Sequence, residues 1–474
     1  MKNRFNRLSS KEWLPFQKSW FRYVSDDKLI SENVLFFTKA EESHEKIFYY
    51  GNDYSSVESI CCDNSLNLVS AKDYQSEPLQ FALVDMRFDI SKMTGVEDYL
   101  IVREKIMDIS QRIFENLQHK RFLCVMIPNK QINENYFPFS WDIAYQLSTV
   151  FSLKDEKIAC MSSDSPHVNQ PYFAPDLETF YCLYFRKDEN SKGKYIPVES
   201  GLFSNNQQKK GLVSFSKSLP YWFILKPSPR KKNEILHPAK YPEELVSMFL
   251  NVFTRNGDNV LDPMSGTGST QIAALKSGCN AYGTELSEFF MEIANERCQN
   301  LVNPQQKELF LKESISGDFK ILNKDARLIS KDDFPPVDYV ITSPPYWDML
   351  NMKGAENQAK RIEKGLLTSY SELEEDLGNL VNYDDFIDEL VQIYFNIIDL
   401  MESGSYLTII VKNIKKKGKN YPFAWDLSAR LMERVVLLPE VFWCQDDINL
   451  APYGYGNTFV SNTFHQYCLN FMKP

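Results

Sequence analysis

The sequence predicts an α/β fold: a doubly wound sheet of mostly parallel strands, preceded by an N-terminal lobe of the same class. Three observations predict it. Wholly apolar runs such as Leu123–Ile127 and Leu407–Val411 alternate with helix-like segments, as in strands covered on both faces. A loop with two glycines, Asp262 to Thr270, follows an apolar strand and opens a helix. The chain also repeats itself: residues 121–129 (RFLCVMIPN) align with 405–413 (SYLTIIVKN), and Phe137–Asp142 aligns with Tyr421–Asp426. The offset is constant (422 − 138 = 284), so no gap intervenes.

In chain order, residues 1–80 are rich in aromatics (Trp13, Phe16, Trp20, Phe21, Tyr23) and read as a packed extension of the first copy. That copy, about 80–187, opens a helix at Tyr99 and runs through strand, polar loop, amphipathic helix and strand to Tyr181–Phe185. The second copy repeats the order from Tyr383 to Tyr467–Phe471, the last pair offset by 286 (467 − 181 = 286). Between them lies a segment, roughly 200–335, that reads as occurring once. Pro227-Ser228-Pro229-Arg230-Lys231-Lys232 suits a linker or binding loop. An amphipathic helix follows Pro242, then the strand Asn259–Asp262, the glycine loop, a helix through Lys276 and a strand ending at Glu285. The copies part where Val340–Tyr346 keeps Ser343-Pro344-Pro345-Tyr346 and the matching Leu83–Asp89 does not, so the first reads as a degenerate duplicate.

Composition narrows the classes. The 474 residues, 43% hydrophobic, suffice for two or three domains. No apolar run approaches the ~18 residues of a membrane span. The basic start, Met1 to Arg7, has no apolar stretch behind it, so no signal peptide is expected. Nine scattered cysteines without a Cys-x-x-Cys predict neither a disulfide framework nor a metal site, and fit a reducing cytoplasm. A net charge of −10 argues against a surface coated with phosphate-binding groups but leaves room for a local basic groove. Two basic clusters near the motifs are candidates: Lys226, Arg230, Lys231, Lys232 and Lys240, then Lys412, Lys415, Lys416, Lys417 and Lys419.

The motifs carry the chemistry. Gly266 and Gly268 permit tight turning, and the following helix presents free N–H groups to an anion. Asp262, Glu285 and Asp325 end three successive strands, where they could accept from an amine, ribose hydroxyls and an adenine amino group. No lysine occupies the place that a phosphate-binding loop requires, which disfavours a nucleotide triphosphatase. A dehydrogenase prefers the fuller G-x-G-x-x-G pattern and has no use for Ser-Pro-Pro-Tyr. Two prolines of fixed φ make a stiff turn that aims oxygens one way. Beside them, Ser343 and the carbonyls around Pro344 could draw an unreactive ring amine towards tetrahedral shape, and Tyr346 could stack on a flipped base with Trp347 extending that wall.

In TSPPYW (342–347), DPMSGTGST (262–270), HPAKYPEELV (237–246) and GTELSE (283–288), the chain resembles the DNA amino-methyltransferases that make N4-methylcytosine or N6-methyladenine. Residues 376–390 also resemble the stretch that follows the motif in that group. The resemblance covers about 220–474, the degenerate copy adding most of 80–187. It implies a Rossmann-like, S-adenosylmethionine-dependent methyltransferase sheet, with an N-terminal region over 1–195 and a methyltransferase domain over 196–474 (cofactor half about 220–335, catalytic half about 336–474). Cofactor contacts would come from His237, Pro238, Asp262, Pro263, Met264, Ser265, Gly266, Gly268, Thr270, Glu285 and Asp325. Catalytic contacts would come from Ser343, Pro344, Pro345 and Tyr346, and DNA contacts from Lys231, Lys232, Trp347, Lys415 and Lys416.

Serine rather than aspartate before the prolines leans towards cytosine N4 over adenine N6. With no Pro-Cys dipeptide, methylation of cytosine C5 is disfavoured. Met264 stands where the family often has phenylalanine, filling the same apolar space. The family often places the Pro-Pro motif ahead of the glycine loop; losing the first of two flanking copies would leave the reverse order seen here. The expected partner is double-stranded DNA, with a cognate restriction or defence protein. The alternative to an enzyme is a non-catalytic DNA-binding subunit of a modification complex.

Overall fold

The computed structural model describes residues 6–39, 45–70, 78–133, 135–161, 178–203, 219–225, 241–303, 317–345, 347, 377–416, 418–446 and 463–474. His237, Pro238, Lys231, Lys232 and Tyr346 lie outside them.

The N-terminal lobe runs α1 (Ser10–Phe16), β1 (Trp20–Arg22), α2 (Asp26–Phe37), β2 (Lys46–Tyr50), α3 (Tyr54–Asp63), β3 (Asn67–Ser70), β4 (Leu79–Asp85), α4 (Arg87–Ser91), α5 (Val96–Asn116) and β5 (Leu117–Ile127). A ribbon of β6 (Lys130–Ile132) and β7 (Asn135–Phe137) follows, then α6 (Phe139–Leu147), β8 (Ser152–Cys160) and β9 (Thr179–Arg186). The C-terminal lobe runs β10 (Trp222–Ile224), α7 (Glu243–Phe253), β11 (Asn259–Asp262), α8 (Ser269–Lys276), β12 (Asn280–Glu285), α9 (Glu288–Val302), β13 (Phe319–Asn323), β14 (Val337–Thr342), α10 (Tyr383–Leu400) and β15 (Met401–Val411). The ribbon of β16 (Ile414–Lys416) and β17 (Lys419–Tyr421) leads to α11 (Phe423–Leu431), β18 (Val436–Leu437), β19 (Val441–Cys444) and β20 (His465–Met472).

Local chemistry starts the helices. The side chains of Ser25, Asp53 and Asn382 cap α2, α3 and α10 by accepting from Lys28, Ser56 and Asp384 N–H. Pro242 precedes α7, with Glu243 and Glu244 in its first turn, where the helix dipole favours negative charge. Every residue of β4 is buried, as a central strand covered on both faces requires.

The two sheets share one strand order. The first reads β1-β8-β9-β5-β4-β2-β3 and the second β10-β19-β20-β15-β14-β11-β12-β13, with β18 paired to β20. In each, one long strand (β9 or β20) runs antiparallel within an otherwise parallel sheet. The registers agree residue by residue. Ile47 faces Phe81 and Leu68 in the first sheet as Val260 faces Tyr339 and Ala281 in the second, a displacement of 213 along β2-α3-β3 (260 − 47 = 213). Ser65, at a left-handed φ of 55°, stands where Gly278 has 77°. This differs from the expectation that the glycine-loop segment occurs once and that residues 1–80 only extend the first copy. A strand-helix-strand counterpart lies within them. The edge strand β13 and α9 before it have no counterpart among the described residues.

Three apolar clusters fill the molecule. One lies under α2 and α3, one under α7, α8 and α9, and the largest, containing Trp141, Trp222, Trp425 and Tyr467, draws on both sheets. The lobes meet about an approximate twofold axis. Trp20 Nε1 donates to Gln445 O at 3.0 Å, and Trp222 Nε1 donates to Met161 O at 2.8 Å. The buried Glu440 carboxylate accepts from Asn129 Nδ2 at 2.8 Å and Tyr181 OH at 2.9 Å, and also from Tyr136 OH. Reciprocally, Glu156 accepts from Asn413 Nδ2 and Tyr467 OH, both at 2.8 Å. Cys160 and Cys444 meet at 3.9 Å between sulfurs, and the stacked Trp141 and Trp425 rings lie 6.3 Å apart.

Candidate active site

Strand adjacency builds the site. Because β11 and β14 pair in parallel, both the glycine loop and Ser343 leave the same edge of the sheet. Asp262, the last residue of β11, is 1% exposed, and its two oxygens accept four hydrogen bonds. Oδ1 takes Met264 N–H at 3.0 Å and Thr342 Oγ1 at 2.7 Å; Oδ2 takes Tyr241 OH and Thr270 Oγ1, each at 2.7 Å. Burial pushes this carboxyl upward while the donors pull against it. All of its ordinary acceptor positions are thus used inside the chain, and Thr342 is the residue before Ser343.

The loop itself is held from both sides. Gly266 and Gly268 have φ of 51° and 79°, a region that glycine enters without penalty. A Cβ on Gly268 would lie 2.9 Å from the Ala294 Cβ, so α9 packs directly on the loop. Ser265 Oγ donates to Asp262 O at 2.9 Å and accepts from Gln271 Nε2 at 2.8 Å. Thr284 Oγ1 donates to Pro263 O at 2.7 Å. Glu285 ends β12 and accepts from Gly266 N–H at 2.7 Å and Ser287 N–H at 3.0 Å. Asp325, past β13, accepts from Arg327 N–H at 2.9 Å and pairs with its guanidinium at 2.6 Å. Asp262, Pro263, Met264, Ser265, Gly266, Gly268, Thr270 and Glu285 therefore form one bonded unit, with Asp325 on the neighbouring strand.

Ser343 and Pro345 are half-buried and Pro344 is buried at the end of β14. Trp347 and Lys415 have placements other than the open surface expected of DNA contacts. Trp347 is 4% exposed, boxed in by Tyr383 at 5.2 Å and Tyr421 at 4.9 Å between ring centroids, with Lys416 Nζ 3.9 Å over its ring. Lys415 Nζ sits 2.5 Å from the buried Asp155 carboxylate of the other lobe. A ring without free faces and an ammonium beside a buried counter-charge are spent on the fold. At the end of β15, burial pushes the Lys412 ammonium down to about 8.

Several site residues escaped sequence reasoning: Thr342, Tyr241, Gln271, Asp426 and Tyr145. Tyr383 OH donates to Asp426 Oδ2 at 2.6 Å, and Tyr145 OH, from the N-terminal lobe, donates to Asp426 Oδ1 at 2.7 Å. For Asp426 a signal existed, because Tyr99 and Asp142 recur as Tyr383 and Asp426 at the 284 displacement, and in the structure Tyr99 OH likewise donates to Asp142 Oδ2 at 2.8 Å. In the N-terminal lobe the register puts Tyr49 where Asp262 stands and Asp85 where Ser343 stands. There Arg87 closes onto Asp85 and Asp26, each at 2.6 Å.

Residues 81–296, from β4 of the first lobe to α9 of the second, match the family model described as DNA methylase. The chain is 31% identical over 112 residues to the type II methyltransferase M.BglI of Bacillus subtilis, covering 24% of this chain and 31% of that one. It is 28% identical over 124 residues to the orphan methyltransferase M.BamHII of Bacillus amyloliquefaciens, covering 25% and 46%. The matches thus span less than half of either relative's length. Among solved structures, TrmN from Thermus thermophilus aligns over 49% of each chain at 15% identity, with a TM-score of 0.30. No helix among the described residues is long and apolar enough to cross a membrane.

Proposed function

We propose that the chain, whose residues 81–296 match the DNA methylase family model, is a DNA amino-methyltransferase: a site-specific enzyme acting on the exocyclic amine of a flipped base, cytosine N4 by preference, in restriction-modification or phage defence. The observation that carries this reading is the 2.7 Å hydrogen bond from Thr342 Oγ1 to Asp262 Oδ1, which locks the strand delivering Ser343 to the glycine loop.

The residues present fit S-adenosylmethionine. The left-handed glycines leave two positions of the loop without side chains, and Gly283 sits so close beneath Ser265 and Gln271 that no Cβ fits there. Glu285 and Asp325 supply acceptors on successive strands, and the Ser269 hydroxyl at the head of α8 is buried without a partner among the described residues. When bound, this cofactor supplies an electrophilic methyl group. The chain's own part is positional. Ser343 and the Pro344 carbonyl accept from the amine, and the stiff Pro-Pro turn holds those acceptors still. Asp262 acts through the loop, fixing it against β14. Lys416, with Lys231 and Lys232, offers positive charge to the phosphate backbone.

We further read the N-terminal lobe as a degenerate copy of the whole sheet, divided from the methyltransferase domain near residue 195. The shared strand order and registers support this, as does a family match that begins at β4 and crosses into the second lobe. With the dimer-like interface built into one chain, a cytoplasmic monomer acting on duplex DNA is the expected form.

The test is methyl transfer from labelled cofactor to duplex DNA of varied sequence, followed by nucleoside mass spectrometry. N4-methylcytosine is expected, and loss of transfer in Ser343→Ala with cofactor affinity retained. N6-methyladenine would establish the second base instead. Cofactor binding without transfer to any DNA would leave only the non-catalytic subunit.

A further inference from the structure

The interface between the lobes is reciprocal at its centre, and two of its one-sided contacts converge on one place. Glu156 and Glu440, Trp20 and Trp222, Asn129 and Asn413 each have a partner performing the same task from the other side. Tyr145 does not: the position 284 residues on is Ala429, which has no hydroxyl to return. Asp155 and Lys415 are not mirrored either, since Pro439 and Gln131 occupy their counterparts. These two contacts run from the N-terminal lobe into the lobe with the intact Ser-Pro-Pro turn. Both end beside Trp347, two residues beyond Pro345.

We propose that Tyr145 is a positioning residue for methyl transfer: its hydroxyl and that of Tyr383 clamp Asp426 from opposite lobes and so fix the aromatic box that seats Trp347 behind Ser343-Pro344-Pro345. The chain of contact is short. Tyr145 holds Asp426 Oδ1 at 2.7 Å, Asp426 Oδ2 holds Tyr383 at 2.6 Å, and the rings of Tyr383 and Tyr421 lie 4.9 Å apart on two sides of Trp347. Asp155 restrains Lys415, whose neighbour Lys416 lies over the remaining face of the indole. A half-buried carboxylate with two donors has one geometry; with one donor it can rotate, and the box loosens. The N-terminal lobe, with no motif of its own, thereby acts at the chemistry of the other. The inference rests on the transferase reading for its effect on rate but not for the clamp itself.

The experiment uses the full chain labelled with 5-fluorotryptophan, the Trp347 ¹⁹F resonance being assigned with Trp347→Phe. In Tyr145→Phe and, independently, Asp426→Asn, the Trp347 resonance should move while Trp13 and Trp443, away from the interface, stay fixed and report an intact fold. The kcat for methyl transfer should fall about tenfold while KM for the cofactor stays within about twofold, as for a misplaced acceptor turn. An unmoved Trp347 resonance overturns the clamp, whatever the rate does. A moved resonance with unchanged kcat overturns its role in transfer. A wild-type chain that methylates no DNA defeats the transferase reading alone, because the resonance still decides whether the clamp exists.

Discussion

At Asp262 four donors converge on one carboxylate that water barely reaches, and one of them, Thr342, belongs to the strand carrying Ser343. Thr342→Val keeps the shape and removes that donor. Stability should fall by about 1.5–3 kcal/mol, the worth of a hydrogen bond to a charged group, as read by urea unfolding. Single-turnover methyl transfer should fall further than cofactor affinity, because the loop stays capped by Met264 and Thr270. Lys157 makes a different demand. It is buried under α1, donating to Phe16 O with its ammonium 3.0 Å over the Phe16 ring, and burial pushes its pKa from 10.5 down to about 7. Between those values the unfolded chain holds a proton that the folded chain has released. Stability should therefore rise as pH climbs from 7 towards 10.5, by up to about 1.4 kcal/mol per pH unit, and this contribution should be flat below 7. Lys157→Met should remove that share of the slope in unfolding curves taken at pH 7, 8.5 and 10.

At the scale of elements, two glycines separate strain from crowding. Gly268 has φ of 79° and the Ala294 Cβ 2.9 Å from where its own would be, whereas Gly257 has φ of 88° and open space. Gly268→Ala should cost about 1–3 kcal/mol and weaken S-adenosylhomocysteine binding by calorimetry, since α9 must shift away from the loop. Gly257→Ala should cost only about 1 kcal/mol and leave binding unchanged. Much of this architecture was legible beforehand. Leu123–Ile127 and Leu407–Val411 announced their strands because burial on both faces leaves wholly apolar runs, and α8 followed from the glycine loop. The counterpart of that loop in residues 46–70 was not legible. Tyr49 replaces Asp262 and Asp53 replaces Gly266, so the register survives only in backbone pairing, which side-chain identity does not record. The role of Thr342 was hidden for a related reason, as it acts across strands distant in sequence, and the Tyr145 bond to Asp426 joins helices of different lobes.

Across the whole molecule, the lobes are joined by buried carboxylates rather than by surface contacts. Glu440→Ala leaves the neutral donors Asn129, Tyr136 and Tyr181 without their acceptor, and about 1–3 kcal/mol should be lost for each donor left unsatisfied, with one calorimetric transition persisting because a single apolar cluster spans both sheets. The near-twofold arrangement has a further consequence for how such a protein would meet a duplex. Two matching outlines could straddle a palindromic site with either half over either strand, yet only one half carries Ser343. Each encounter would then modify one strand, and the second would have to wait for departure and return in the opposite sense. Half-modified duplexes should accumulate early in the time course, before any site is complete on both strands.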